Sequence, residues 1–178
     1  MRLFVSAALS LAILPAMAEA RSGDEHPEAQ AFIESLSYLE GEWELHNWLA
    51  TGPGTSQELD FHVTTTRTFD GLGLQSEWYA EDGGWYGRVM NTYDPEAGMW
   101  QVYYFDGHNN RWSNSAHAIE LTENGYSLTS EGEDAYGAFE SRTRFERISD
   151  DAYRSSTERR YPGTDWFPID RIEATRSE

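Results

Sequence analysis

The sequence predicts an all-β fold, an up-and-down antiparallel β-barrel of about ten strands preceded by one short N-terminal helix. Apolar and polar residues alternate through residues 59–70, as in a strand with one buried face. Turn-forming sequences then recur about every ten residues. They lie at residues 82–84, 94–98, 106–110, 123–125, 149–151 and 161–165. Short strands joined by regularly spaced turns are typical of a meander that closes on itself.

The predicted helix precedes the first strand. Its apolar residues are spaced to form one helical stripe, which consists of Phe32, Ile33, Leu36 and Leu39. Pro27 suits the first turn of a helix, and Gly41 suits its end. Later segments lack this spacing, so the rest of the chain is predicted to consist of strands and turns.

Residues 1–20 have the pattern of a secretory signal peptide. An arginine stands second, the run from Leu3 to Leu14 is apolar but too short to span a bilayer, and A-x-A spacings end at Ala18 and Ala20. We therefore expect an exported protein, periplasmic or secreted, with a single domain at residues 21–178. No later segment is predicted to span a membrane.

The composition excludes several classes of function. The 178 residues carry 31 acidic and 13 basic side chains, all of the latter arginine, for a net charge of -18. Such a charge repels nucleic acid and anionic membranes. There is no cysteine, so thiolate nucleophiles and cysteine-based zinc sites are ruled out. Histidine motifs and acidic loops typical of metal sites are also missing, and no metal or cofactor is expected.

The predicted turns allow one face of the sheet to be followed from strand to strand, because directly paired residues point the same way. The turns at 83–84, 95–98, 107–110 and 124–125 give the pairs Trp78–Val89, Tyr93–Trp100, Trp100–His117 and Leu121–Leu128. The predicted inner face comprises Leu74, Ser76, Trp78, Val89, Asn91, Tyr93, Trp100, Val102, Tyr104, Ser113, Ser115, His117, Ile119, Leu121 and Leu128. A one-residue error at the third turn would instead turn His117 outward.

This inner face mixes aromatic and polar side chains, which is typical of a pocket for a small apolar or amphipathic molecule. A packed core with satisfied polar groups is the alternative. The candidate ligand-binding residues are Ser76, Trp78, Asn91, Tyr93, Trp100, Tyr104, Ser115, His117 and Glu158. Glu158 lies in an arginine-rich stretch with Arg142, Arg144 and Arg160, for which solvent-facing ion pairs are the favoured interpretation.

Three other functions are consistent with the pattern. In a haem-binding barrel resembling nitrobindins, His117 or another histidine would be the axial ligand. In an isomerase or cyclase, His117 and Glu158 would transfer protons. A barrel without a ligand would act through protein contacts on an outward face that consists of Met90, Met99, Tyr103 and Phe105. The oligomeric state does not follow from the sequence.

Three parts of the chain resemble known families. "LSYLEGEWEL" resembles the entry segment of lipocalin-like (calycin) barrels, in which a short helix leads into G-x-W, here Gly41 and Trp43. "GRVMNTYDPEAGMWQVYYFDG" and "FERISDDAYRSSTERRYPGTDW" resemble secreted bacterial proteins of domain of unknown function 1579. That family commonly ends in E-x-S-x-D-G-G-x-x-W, and this chain departs from it at Arg160 and Pro162. The resemblance implies a calycin-like barrel and no established activity.

Overall fold

The computed structural model describes residues 26–94, 96–107 and 111–177, with the backbone alone for residues 111–118. The predicted signal segment, residues 1–20, lies outside the described residues. The elements are helix α1 (Pro27–Ser35), short 3₁₀ helices at Ser37–Leu39 and Phe69–Gly71, and strands β1 (Gly41–Gly52), β2 (Thr55–Thr68), β3 (Gly73–Ala80), β4 (Tyr86–Asp94), β5 (Met99–Asp106), β6 (Arg111–Thr122), β7 (Gly125–Asp134), β8 (Gly137–Ser149), β9 (Ala152–Arg160) and β10 (Phe167–Arg176). None of the helices within these ranges is long and apolar enough to cross a membrane.

The strands form a closed antiparallel barrel in which each strand pairs with the next along the chain and β1 pairs with β10. On β1, Trp43, Leu45 and Asn47 are buried while the residues between them are exposed. This alternation puts one face of each strand into the barrel and the other into solvent. The predicted all-β, up-and-down barrel with one short helix is therefore confirmed.

Helix α1 covers one end of the barrel. Its buried side chains Phe32 and Ile33, followed by Leu36, pack on the inner ends of several strands. The Phe32 ring lies 4.6 Å from the ring of Trp100 and is stacked on Tyr93 at 5.5 Å. We call this end of the barrel the closed end.

An arginine stacked on a tryptophan fastens the closed end. Trp43 is 1% exposed, and its Nε1 donates a hydrogen bond to the carbonyl of Leu39 at 2.9 Å. The guanidinium of Arg176 lies 4.3 Å from the centre of the Trp43 ring. Arg176 also donates hydrogen bonds to the carbonyl oxygens of Glu40 at 2.9 Å and Asp150 at 3.1 Å. These contacts join the chain before β1, the turn between β8 and β9, and the end of β10.

The predicted register is confirmed in the middle of the sheet. Tyr93 on β4 is opposite Trp100 on β5, and Trp100 is opposite His117 on β6. The loop from β5 to β6 therefore has the length that the sequence predicts.

The predicted register between β3 and β4 is wrong by two residues. Trp78 pairs with Gly87 and not with Val89. The hairpin loop is longer than a two-residue turn because the amide of Ala80 bonds to the carbonyl of Trp85 at 2.9 Å. The Trp85 ring then lies over Gly87, where a Cβ would overlap it. A shift of two residues keeps the predicted faces, because side chains alternate with a period of two.

The register between β6 and β7 is also wrong by two residues. Leu121 pairs with Tyr126, and Ile119 pairs with Leu128. Gly125 belongs to strand β7, so the turn is formed by the residues just before it. Leu121 is 52% exposed because it lies at the end of its strand, and its predicted burial is wrong.

Candidate functional site

The interior of the barrel contains a cavity of about 470 Å³. Its apolar wall includes Val63, Val89, Val102 and Leu128. Its polar lining includes Asn91, Ser130, Ser141 and Arg159. We call this space the interior cavity.

Some of the hydroxyl groups in the interior cavity are already hydrogen-bonded to each other. Thr65 and Ser76 share a hydrogen bond of 2.8 Å between their side-chain oxygens. Thr143 and Thr157 share a similar one of 2.9 Å. Paired hydroxyls cost little to bury, so this part of the polar lining is compatible with an apolar ligand.

Three tyrosines lie near the closed end. Burial raises the pKa of Tyr38 to about 12, while the Arg147 guanidinium lowers it by a smaller amount. Burial also raises the pKa of Tyr126 and of Tyr153, both of which line the interior cavity. All three therefore remain neutral phenols. The Tyr38 hydroxyl is buried without a hydrogen-bond partner among the described residues.

Four of the predicted ligand-binding residues come together around the interior cavity. They are Ser76, Trp78, Asn91 and Trp100. Trp78 carries a buried indole N–H with no hydrogen-bond partner among the described residues. Trp100 has a second role, because it also packs against Phe32 of the helix.

Two other candidates, Tyr93 and Tyr104, lie outside the described lining of the interior cavity. Tyr93 lies under α1 against Phe32. Tyr104 stacks on Trp85 at 6.3 Å, and burial followed by the charge of Asp106 raises its pKa to about 12. For two candidates the structure gives backbone register alone, namely Ser115 opposite Val102 and His117 opposite Trp100.

Glu158 does not join this group. It lies on the outer face of β9 and accepts a hydrogen bond from Nε of Arg142 at 2.7 Å. Arg160 similarly pairs with Glu140 at 2.6 Å. Both arginines lie over the ring of Trp166. Arg142 and Arg160 are thus in solvent-facing ion pairs, as the sequence favours.

Among the described residues that line the interior cavity there is one arginine, Arg159, which the sequence did not single out. It follows Tyr153, Ser155 and Thr157 in the inward register of β9. Its Nη1 is 2.7 Å from Oδ2 of Asp134. Counting every second residue from Tyr153 leads to Arg159. The residues between them on this face, Ser155 and Thr157, are polar, so the sequence does not indicate that this face is buried.

A second cavity of about 830 Å³ lies at the end of the barrel opposite α1. Its aromatic lining is Trp48, Tyr136, Tyr161 and Phe167, and the loop between β1 and β2 borders it. We call it the vestibule. Arg159 and Ile169 line both the vestibule and the interior cavity, so the two spaces meet there.

The histidines with described side chains offer no inward ligand on the strands. His46 bonds to Asp60 at 2.7 Å, and His62 bonds to Glu44 at 3.0 Å, all on the outer face. Within the described ranges, no group of three or more His, Asp or Glu side chains is placed to hold a metal ion.

Asp170 is a partly buried carboxyl group on the inner side of β10. Nδ2 of Asn47 donates a hydrogen bond to its Oδ1 at 2.7 Å. Burial raises the pKa of Asp170 above its usual value, and the bond from Asn47 offsets part of this effect. With a raised folded-state pKa, the carboxyl favours folding below the pKa of the unfolded chain, about 4. It loses that contribution as the pH rises through the folded-state pKa.

We expect Asp170→Asn to raise the urea midpoint at pH 7, because the neutral amide avoids burying a carboxylate and its oxygen still accepts from Asn47. At pH 3 the difference from the original protein should disappear, since Asp170 is then protonated in both states. Urea unfolding at the two pH values measures this, with the exposed Asp165→Asn as control. A lower midpoint at pH 7 would contradict the assignment.

Fold and cavity together define an antiparallel β-barrel with an interior cavity that meets an aromatic vestibule. No family model matches the chain, and no curated protein matches it. Among solved structures, the chain is similar to Rv2717c from M. tuberculosis, with a TM-score of 0.55 and 15% identity over 82% of this chain and 97% of that one. This likeness supports the barrel fold alone. The resemblance to domain of unknown function 1579 and the export of the protein stay predictions.

Proposed function

We propose that this protein binds a small, partly apolar molecule in the interior cavity. The observation that carries the proposal is the volume of about 470 Å³. Protein interiors are packed with few voids larger than a water molecule, whereas ligand pockets are commonly about 300–1,000 Å³. A barrel built for stability alone would fill this space with larger side chains than Ser130, Ser141 and Thr143.

The lining supports a ligand that is neither fully apolar nor highly polar. Val63, Val89 and Leu128 offer apolar surface, and Trp78 offers an aromatic face. Asn91 lies on the same wall and brings an amide that can donate and accept hydrogen bonds. A few polar groups on an apolar wall orient a ligand without a large desolvation cost. We further propose, on the pattern of residues 1–20, that the protein is exported and meets this ligand outside the cytoplasm.

We expect Ser130→Phe to abolish or strongly weaken ligand binding, because the new ring occupies the interior cavity. The matched control is Thr129→Phe, since Thr129 is exposed on the same strand and its side chain points outward. Binding is measured with the neutral fluorescent probe N-phenyl-1-naphthylamine, and mass spectrometry under native conditions detects any molecule retained on purification.

The experiment has three distinguishable outcomes. Loss of probe binding in Ser130→Phe with retention in Thr129→Phe places the ligand inside the barrel. If the original protein binds neither the probe nor a retained molecule, the proposed function is wrong. If Thr129→Phe loses binding and Ser130→Phe keeps it, the site lies on the outer surface.

A further inference from the structure

Arg159 lies at the junction between the interior cavity and the vestibule and lines both. Among the described residues around the interior cavity, it is the one side chain with a formal charge at neutral pH. The polar groups near it on the wall, such as Ser130 and Thr157, are neutral. Arg159 is therefore the charged group that a ligand in the interior cavity contacts, and Asp134 lies beside it on the vestibule side.

One edge of the Arg159 guanidinium is unused. A guanidinium has five N–H donors in a fixed plane, and here Nη1 donates to Oδ2 of Asp134 at 2.7 Å. Nε is buried and has no hydrogen-bond partner among the described residues. Nε and Nη2 form the side of the guanidinium that binds a carboxylate through two parallel hydrogen bonds.

Asp134 is ion-paired with Arg159, and two groups other than Arg159 also hold it in place. The Tyr161 hydroxyl donates to its Oδ2 at 2.7 Å, and the amide of Tyr136 donates to its Oδ1 at 2.8 Å. These bonds and the nearby Arg159 lower the pKa of Asp134, with the bond from Tyr161 contributing most. Asp134 thus stays hydrogen-bonded if the guanidinium shifts.

The guanidinium also has room to shift without losing its support. Its central carbon lies 3.7 Å from the centre of the Phe139 ring, a flat surface along which it can slide. Because Nε is buried, a carboxylate reaches both donors only after such a shift. The pairing would satisfy a buried donor that is otherwise unpaired, which is favourable.

We propose that the ligand is an organic acid whose carboxylate binds the free edge of Arg159 while its apolar body lies in the interior cavity. This inference rests on the proposed function. Arginine suits the role because its planar fork matches a carboxylate in geometry as well as in charge. In a chain of net charge -18, a local positive group is also what allows an acid to be held at all.

The test compares 1-naphthoate with its neutral methyl ester by isothermal titration calorimetry on the full chain. The original protein should bind the acid at least about tenfold more tightly than the ester, a difference of about 1.4 kcal/mol. Arg159→Gln should lower the affinity for the acid about tenfold or more and leave that for the ester within about twofold. The matched control is Arg144→Gln, because Arg144 is exposed on the outer face of β8, and it should change neither affinity.

A second variant changes the acid affinity in the opposite direction. Asp134→Asn removes the carboxylate that competes for the guanidinium, so the acid should bind several-fold more tightly and the ester unchanged. If Arg159→Gln does not fold, this variant decides, and an unchanged acid affinity overturns the inference. Equal losses for acid and ester in Arg159→Gln also overturn it, while binding of N-phenyl-1-naphthylamine keeps the proposed function intact. If that neutral probe does not bind either, the proposed function fails, and this inference with it.

Discussion

Replacing Trp43 with alanine is expected to lower the free energy of unfolding by about 3–5 kcal/mol. The side chain is 1% exposed, lies under the Arg176 guanidinium and meets the Tyr153 ring edge-on at 4.8 Å. Its loss leaves a cavity and removes the surface on which Arg176 is stacked. Domains are stable by about 5–15 kcal/mol in all, so the variant would retain only part of the original stability. Urea unfolding monitored by circular dichroism measures the effect.

The control is Trp166→Ala, which removes the same side chain from a half-buried position on the outer face. Trp166 is in contact with Arg142 and Arg160, and exposed contacts of this kind contribute about 1 kcal/mol or less. If the two variants have similar urea midpoints, Trp43 does not fasten the closed end as the contacts indicate. The slope of the transition should be unchanged, so that the midpoints report stability.

The faces of the strands could be predicted from sequence, but the lengths of the turns could not. Alternation placed Phe61, Val63 and Trp78 inward because side chains on a strand alternate by local geometry alone. The hairpin after Trp78 depends on where the Trp85 ring packs, and this is a tertiary contact that no local pattern contains. Both register errors were therefore shifts of two residues, which preserve the face.

The two residues of the Trp43–Arg176 contact at the closed end also differ in how far the sequence indicates them. Gly41 and Trp43 are visible in sequence as part of a G-x-W segment. Arg176, whose guanidinium lies over the Trp43 ring, is 133 residues further along the chain. Only the pairing of β1 with β10 brings it to Trp43. A long-range pair of this kind leaves no signal in either segment.

The candidate site could be predicted in part. The hairpin from Trp85 to Gly107 indicated an aromatic and polar interior, and Asn91 and Trp100 line the interior cavity. Arg159 was overlooked because the part of β9 around it is polar on both faces. Hydrophobic alternation therefore cannot show which of its residues point into the barrel. The neighbouring Arg160 and Glu158 drew attention as charged residues and lie outside. Deciding between adjacent arginines required the pairing of β9 with β8.

The last prediction concerns Trp100, where the sequence indicated the wall of an open cavity. In that case truncation would cost less than for a packed side chain, because fewer contacts are lost. The structure gives Trp100 a second partner, since it is 3% exposed and its ring lies 4.6 Å from that of Phe32. We therefore expect Trp100→Ala to cost about 3–5 kcal/mol.

The matched control is Met99→Ala, one residue away, on the outer face and half-buried. Truncating a partly exposed side chain away from the core should change stability by about 0.5 kcal/mol or little more. Urea midpoints compare the two variants, and hydrogen exchange at the amides of α1 adds a second measurement. Exchange should speed up in Trp100→Ala alone, because the helix loses the ring against which Phe32 packs. Equal urea midpoints for the two variants, or unchanged exchange in α1, would contradict this prediction. Trp100 would then only line the cavity, and other contacts would hold the helix at the closed end.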